Sequence, residues 1–247
     1  MKKIKIAMIQ TNPENKNGIQ NSVKILKKLQ GNVDIAVFPE YFLGWDSEKS
    51  EVIIEAFKKE AKETGMNIVL GSIVERVNKK LYNTCFILND KGKIVGFHRK
   101  VHLFPDWENW LTEGDDFKVY DLNGLKIGIA ICLDVYFPQD IRKMANKGAD
   151  VLIVPTLTSK DEFEEHSCVM RTRAMENVFP VLLVNGVGSK KIGNKLETWA
   201  GNSMLINPYG NIVSRMNDKE GINIIEIDPN EKNKAREELP FIFSEKS

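Results

Sequence analysis

Cysteine is scarce in this chain: Cys85, Cys132 and Cys168 are the three among 247 residues, widely spaced and with no CxxC pair. An odd count in that arrangement excludes a disulfide framework and a cysteine-rich zinc site, and it points to a reducing, cytoplasmic setting. No metal ligand set and no cofactor motif is read elsewhere. Gly186-Val187-Gly188 lacks the third glycine of a dinucleotide loop, and no glycine-rich loop ends in Lys-Ser/Thr. An excess of one charge is also missing, since 35 Lys and Arg stand against 34 Asp and Glu for a net charge of +1. That balance gives no electrostatic footprint for nucleic acid or an anionic membrane surface. No apolar run approaches the ~20 residues of a membrane span. The opening stretch MKKIKIAMIQTNPENK alternates lysine with apolar residues as far as Thr11, which is too short for a signal-peptide core. Pro- or Ser-rich linkers are absent as well, so residues 1–247 are expected to form one domain.

What is present is a repeated alternation of strand and helix. Apolar runs rich in Val and Ile occur at 3–10, 34–40 and 67–74, and again at 126–132, 149–155 and 180–187. Runs of that kind read as buried parallel strands. Between them, apolar residues at helical spacing predict helices near 18–30, 47–64, 138–147 and 161–178. Turn signals follow the third strand of each half, Asn89-Asp90-Lys91-Gly92 and Asn207-Pro208-Tyr209-Gly210, and predict antiparallel hairpins. Each half supplies about two helices, enough to cover one face of its sheet, so the open faces should pack together. The expected fold class is α/β, a four-layer αββα sandwich with internal pseudo-symmetry. The Glu/Lys-rich tail from Pro229 onward reads equally well as a surface helix ending near Pro240 or as an arm reaching a partner.

Ligands of α/β sheets gather at the carboxyl ends of the parallel strands. One such end runs into Pro39-Glu40-Tyr41. A single glutamate there is ordinarily a solvated or capping residue. Another ends at Cys132, just before a predicted helix. A free cysteine is ordinarily a small core hydrophobe, but a thiol near a helix N-terminus sits where the dipole favours thiolate. The third place is the basic stretch His98-Arg99-Lys100-Val101-His102, ordinarily a charged edge strand that resists aggregation. If Lys100 points inward among Glu40 and Cys132, it is a cation able to stabilise an oxyanion. Because imidazole is the commoner partner of a nucleophilic thiol, His98, His102 and His166 define a competing Cys-His reading.

Together these places resemble the nitrilase, or carbon-nitrogen hydrolase, superfamily over essentially the whole chain. The motifs are FPEYF (38–42), RKVHLFP (99–105), GIAICLDVYFP (128–138), RTRAMEN (171–177) and GNSMLINPYGN (201–211), in order. The resemblance implies the αββα sandwich derived above and a Glu-Lys-Cys triad on Glu40, Lys100 and Cys132. It also implies a second glutamate, best matched by Glu108 in WENWLTEGDD, with Glu113 as the weaker match. Implied activity is hydrolysis of a small amide or N-carbamoyl amine through a cysteine thioester with release of ammonia, with an omega-amidase acting on dicarboxylic acid monoamides, or a nitrilase, as the alternative. Implied assembly is a homodimer or higher homo-oligomer. The noncatalytic alternative, a subunit supplying ammonia to a partner, is disfavoured because all three triad positions are filled.

The remaining motif residues read mostly as scaffold. Arg171, Arg173 and Glu176 are spaced for an intrahelical salt bridge, and Cys85 and Cys168 read as core or helix-face thiols. Leu133, Tyr136 and Asn185 are the candidate substrate-binding residues. Leu133-Asp134 stands where nitrilases of the plant and bacterial type carry Trp-Glu, which favours the amidase and carbamoylase branches. Tyr136 stands where relatives that cleave monoamides of dicarboxylic acids carry an arginine. A phenol cannot pair a carboxylate as a guanidinium does, so the expected substrate is neutral or cationic unless Lys160 or Arg171 supplies the charge.

Overall fold

A computed structural model describes residues 3–192 and 195–242. Its first half runs β1 (Ile4–Gln10), α1 (Gly18–Leu29), β2 (Ile35–Val37), α2 (Ser50–Thr64) and β3 (Asn67–Val69). The strands β4 (Ile73–Val77), β5 (Lys80–Leu88) and β6 (Ile94–Arg99) then form an antiparallel meander. The second half runs β7 (Val119–Leu122), β8 (Leu125–Ile129), α3 (Pro138–Asn146), β9 (Val151–Thr156), α4 (Phe163–Asn177) and β10 (Val181–Asn185). It closes with β11 (Val187–Ile192), β12 (Lys195–Ala200), β13 (Met204–Ile206), β14 (Ile212–Arg215), β15 (Gly221–Ile227) and α5 (Glu231–Glu238).

The first sheet has the order β15-β1-β2-β3-β5-β4, with β6 also paired to β5, and the second has the order β14-β13-β10-β9-β8-β7. Parallel pairing of β1, β2 and β3, and of β8, β9 and β10, repeats the same unit in both halves. Three apolar interfaces separate four layers of secondary structure, helices on the outside and the two large sheets within. Ala7, Ala36, Phe38 and Ile68 face Leu26, Ile53 and Phe57 on α1 and α2. Leu152, Val154 and Leu183 face Ile141, Met144, Met170 and Ala174 on α3 and α4. Between the sheets, Ile6, Met8, Val37 and Ile87 meet Ile127, Ile129, Ile153 and Leu182. The αββα architecture therefore follows from strands apolar on both faces and helices apolar on one.

Local signals act as their chemistry requires. Pro138 opens α3 at its first turn, where its missing N–H costs no helical bond, and Ile141, Met144 and Ala145 bury one stripe of that helix. Gly65 ends α2 in the left-handed conformation, its N–H donating to the Ala61 carbonyl. Both Asn-initiated turns form, the Asn89 and Asn207 side chains accepting backbone N–H bonds within them.

Three features depart from the sequence reading. The run 67–74 is two strands separated by a bend at Gly71, not one. The run 180–187 breaks at Gly186, and β11–β12 forms a separate two-stranded ribbon. Strand β15 leaves the second half to pair along the whole of β1, so the halves share an edge. Within the tail, α5 docks with Lys232 donating to the Gly148 and Ala149 carbonyls, each at 3.1 Å, and pairing Asp150 at 2.6 Å; residues 243–247 lie outside the described residues. Among the described residues, no helix is long and apolar enough to cross a membrane.

Candidate active site

The carboxyl ends of β2, β6, β8 and β9 converge on a cavity of about 760 Å³. Its floor carries Glu40, Lys100, Glu108 and Cys132, and all four tryptophans of the chain stand in its walls.

Glu40 reaches the cavity because the chain bends at once after β2. Gly71 makes the bend possible: a Cβ there would lie 2.0 Å from the Pro39 carbonyl oxygen. Tyr41, at φ 49°, turns the chain away again, its N–H held at 3.2 Å by the Ser72 hydroxyl. Lys100 follows β6 and lies opposite Asn83, whose carbonyl accepts the Lys100 N–H at 2.8 Å. Alternation along the chain sends Arg99 outward to Glu75 and Lys100 inward, where it is 2% exposed.

Lys100 Nζ lies 2.9 Å from Glu40 Oε1 and 2.7 Å from Glu108 Oε2. The Asn83 amide donates to both carboxylates, at 2.9 Å to Glu40 Oε1 and 3.0 Å to Glu108 Oε1. Glu40 Oε2 accepts the Leu157 N–H at 3.0 Å. Glu108 additionally accepts the Tyr41 hydroxyl and the Phe104 N–H. Burial raises the Glu40 carboxyl and the Glu108 anion adds to this, so that despite Lys100 it titrates above the ordinary value. Burial acts upward on Glu108 too, but Lys100 and the hydrogen bonds from Lys100, Phe104 and Tyr41 outweigh it and hold that carboxyl low. Burial would discharge Lys100; the carboxylates of Glu40 and Glu108 reverse the sign and keep it an ammonium.

Cys132 begins a single 3₁₀ turn, Cys132–Tyr136, directly after β8, and its φ is 46°. A non-glycine residue in the left-handed region is strained, by roughly 1–3 kcal/mol. Asp134 holds it there. This buried carboxylate accepts the N–H groups of Ile131 at 2.9 Å, Val101 at 3.1 Å and His102 at 2.9 Å, and lies 2.8 Å from His98 Nε2. One side chain thus ties the cysteine turn to the lysine segment. Arg173 adds a second tie from α4, donating to the Val135 carbonyl at 2.6 Å. The strand-end position near a helix does not lower the thiol: burial and then the Glu40 anion push it up to about 12, despite Lys100 and a hydrogen bond with Thr156. The field of a short 3₁₀ turn is too weak to offset that desolvation.

A sequence model of the carbon-nitrogen hydrolase family matches residues 5–237. The chain belongs to that family. Among characterised relatives, a 2-oxoglutaramate amidase of Bacillus subtilis is 32% identical over 90% of this chain and 88% of its own length. An omega-amidase of Xenopus laevis is 29% identical over 98% of this chain and 94% of its own. The structure of a nitrilase-superfamily member from Saccharomyces cerevisiae superposes with TM-score 0.85 at 25% identity, covering 99% of this chain and 97% of that one.

In this carbon-nitrogen hydrolase, Glu40, Lys100, Cys132 and Glu108 meet at one cavity, and Leu133 and Tyr136 also line it. Glu108 contacts Lys100, whereas Glu113 is absent from the cavity wall. Asn185 departs from expectation: fully buried, it accepts the Thr158 N–H and donates to the Gly201 carbonyl, so it shapes the wall from behind. Lys160 and Arg171 also lie elsewhere, pairing with Asp218 and donating to the Gly210 carbonyl. The cavity's own further cations are Lys190 and Lys195 on the β11–β12 ribbon.

The histidines sort clearly. His98 faces Asp134, and His102 faces Asp140 and stacks on Phe137, both away from the cavity wall. His166 lines the cavity, but burial and Lys100 bring it down to about 3, so it stays neutral, 3.2 Å from the Thr156 hydroxyl. The intrahelical pair forms between Arg173 and Glu176 at 2.8 Å. Cys85 is buried and Cys168 exposed. Sequence reasoning missed Asn83 and Thr156. Their only signal was a polar residue where the strand is buried, Asn83 midway along β5 and Thr156 at the end of β9.

Proposed function

We propose that this hydrolase cleaves the carbon-nitrogen bond of a small linear amide or N-carbamoyl amine, with Cys132 as nucleophile, Glu40 as general base and Lys100 as oxyanion stabiliser. The observation that carries the reading is the difference between two carboxylates on one lysine. Burial raises Glu40 above an ordinary carboxylate and so makes it the stronger base, while Glu108, held low, lies 2.7 Å from Lys100 Nζ and supports its charge.

Glu40 takes the thiol proton as Cys132 Sγ attacks the amide carbon, a coupled transfer suited to a thiol that is neutral at rest. The tetrahedral oxyanion is met by the Lys100 ammonium and the Leu133 N–H, donors of a kind worth roughly 3–4 kcal/mol each when preorganised. Protonated Glu40 gives its proton to the departing nitrogen as the C–N bond breaks, leaving a thioester and ammonia or amine. Glu40 then deprotonates water, which attacks the thioester carbon, and the thiol regains its proton as the acid leaves. His166 is too weakly basic at about 3 to replace Glu40 in these steps.

The substrate tail is read as neutral or cationic. Tyr136 offers no cation, and its phenol feels the carboxylates of Glu162 and Glu165. A second reading, an omega-amidase acting on monoamides of dicarboxylic acids, draws on the relatives' activities and on Lys190 and Lys195. Lys195 is 2.8 Å from Glu197, and Lys190 is 3.0 Å from Glu14. These lysines are already paired, which favours the first reading. Ammonia release from a dicarboxylic monoamide, the matched uncharged amide and a carbamoyl amine distinguishes the two. Higher kcat/KM for the acid than for both others selects the second.

The setting proposed is cytoplasmic, where the thiol stays reduced. Assembly as a homodimer is proposed through the face of α3 and α4 that leaves Phe137 and Met175 exposed, to be checked by sedimentation.

A further inference from the structure

We propose that Asn83 is a positioning residue for the proton transfer, its single amide nitrogen holding Glu40 and Glu108 in register with Lys100. The proposal rests on the reading of Glu40 as base. It starts from a packing problem. Two carboxylates that share one lysine in a buried site repel each other, and one cation cannot neutralise both. Asn83 supplies two further N–H bonds, one to each carboxylate, without adding charge.

The remaining contacts of the residue point the same way. Asn83 is fully buried on β5, and its Oδ1 has no hydrogen-bond partner among the described residues. Leaving a buried acceptor unmatched is unfavourable, and turning the amide over would set that oxygen against two anions. The side chain is therefore placed for its donors. Its backbone carbonyl separately accepts the Lys100 N–H. Through one residue, β5 reaches the base, the second glutamate and the lysine.

The consequence is a defined protonation pattern. Glu40 is faced by Lys100 from the segment after β6, by Glu108 from the following loop, by the Cys132 thiol from the turn after β8 and by its neighbour Tyr41. Within that set, Asn83 favours the ionised form of Glu40, because a donor stabilises the charged state.

The test is the pH dependence of Cys132 alkylation by iodoacetamide, which needs no substrate, in wild type, Glu40→Gln, Asn83→Ala and Asn83→Leu. Circular dichroism checks that each is folded. Substitution leaves the backbone bond to Lys100 in place and removes only the amide. In wild type the rate should fall as pH drops through the Glu40 titration. Both Asn83 variants should move that limb about one unit upward, which slows alkylation by up to roughly 10-fold at pH values below the wild-type limb. A mere packing role predicts an unmoved limb, with leucine restoring what alanine loses. An unmoved limb in both variants, with the wild-type limb abolished by Glu40→Gln, overturns the Asn83 proposal alone. A wild-type profile identical to that of Glu40→Gln overturns the base assignment, and this inference with it.

Discussion

Glu40 and Glu108 are the same residue type on the same lysine, and their surroundings part them. Glu108 accepts four hydrogen bonds or ion pairs and stays ionised; Glu40 accepts three and is more deeply buried. If Glu40 is the base, as proposed, kcat/KM should fall as pH drops through its raised pKa, on a limb above the ~4.3 of an ordinary glutamate. Glu108→Gln removes an anion that raises Glu40, so it should move this limb to lower pH, opposite to the Asn83 variants, while lowering kcat. Glu40→Gln and Lys100→Ala should each cost 100-fold or more in turnover, as a rough figure. Alkylation of Cys132 should fall more in the first, because in the proposed mechanism Glu40 takes the thiol proton whereas Lys100 acts mainly on the oxyanion formed later. Equal alkylation in the Glu40 variant and wild type would show that the base is elsewhere. Glu40, Lys100 and Cys132 were legible because each stands in a contiguous motif at a strand end. Asn83 was not, because a polar residue within a strand has no local sign of what it faces across three other segments.

At the scale of elements, the cysteine turn is held by side chains from its neighbours. Asp134 spends no hydrogen-bonding capacity on solvent; it closes the turn at Ile131 and grips the segment after β6 at Val101 and His102. Asp134→Ala should therefore strand several buried donors and cost about 3 kcal/mol or more in a urea titration. The same change should slow Cys132 alkylation. A stable variant with unchanged thiol reactivity would show that the turn holds itself. The hairpins were legible from their Asn-Gly turn chemistry, and the helices from their buried stripes. Asn185-Gly186 marked the end of β10, but the separate β11–β12 ribbon was not legible, since nothing after Gly186 shows which sheet the chain joins.

For the whole molecule, the layer between the sheets couples the two halves. Ile129 and Ile153 are fully buried there beside first-half residues, and β15 crosses to β1. That crossing could not be read from sequence, because an antiparallel partner more than about 200 residues away leaves no local mark. Ile129→Ala should lower stability by about 2–5 kcal/mol. Because all four tryptophans line the cavity, fluorescence reports the site and far-ultraviolet dichroism the whole. The two signals should change together on unfolding, as for a single cooperative unit; separate transitions would show halves that unfold apart. The central claim, hydrolysis through an acyl group on Cys132, is tested most directly by mass analysis. The hydrolase is quenched during turnover of an amide from which it releases ammonia, then digested. The prediction is an acyl adduct, substrate less ammonia, on the peptide containing Cys132, with neither adduct nor ammonia from folded Cys132→Ala. Continued ammonia release by that variant would contradict the account.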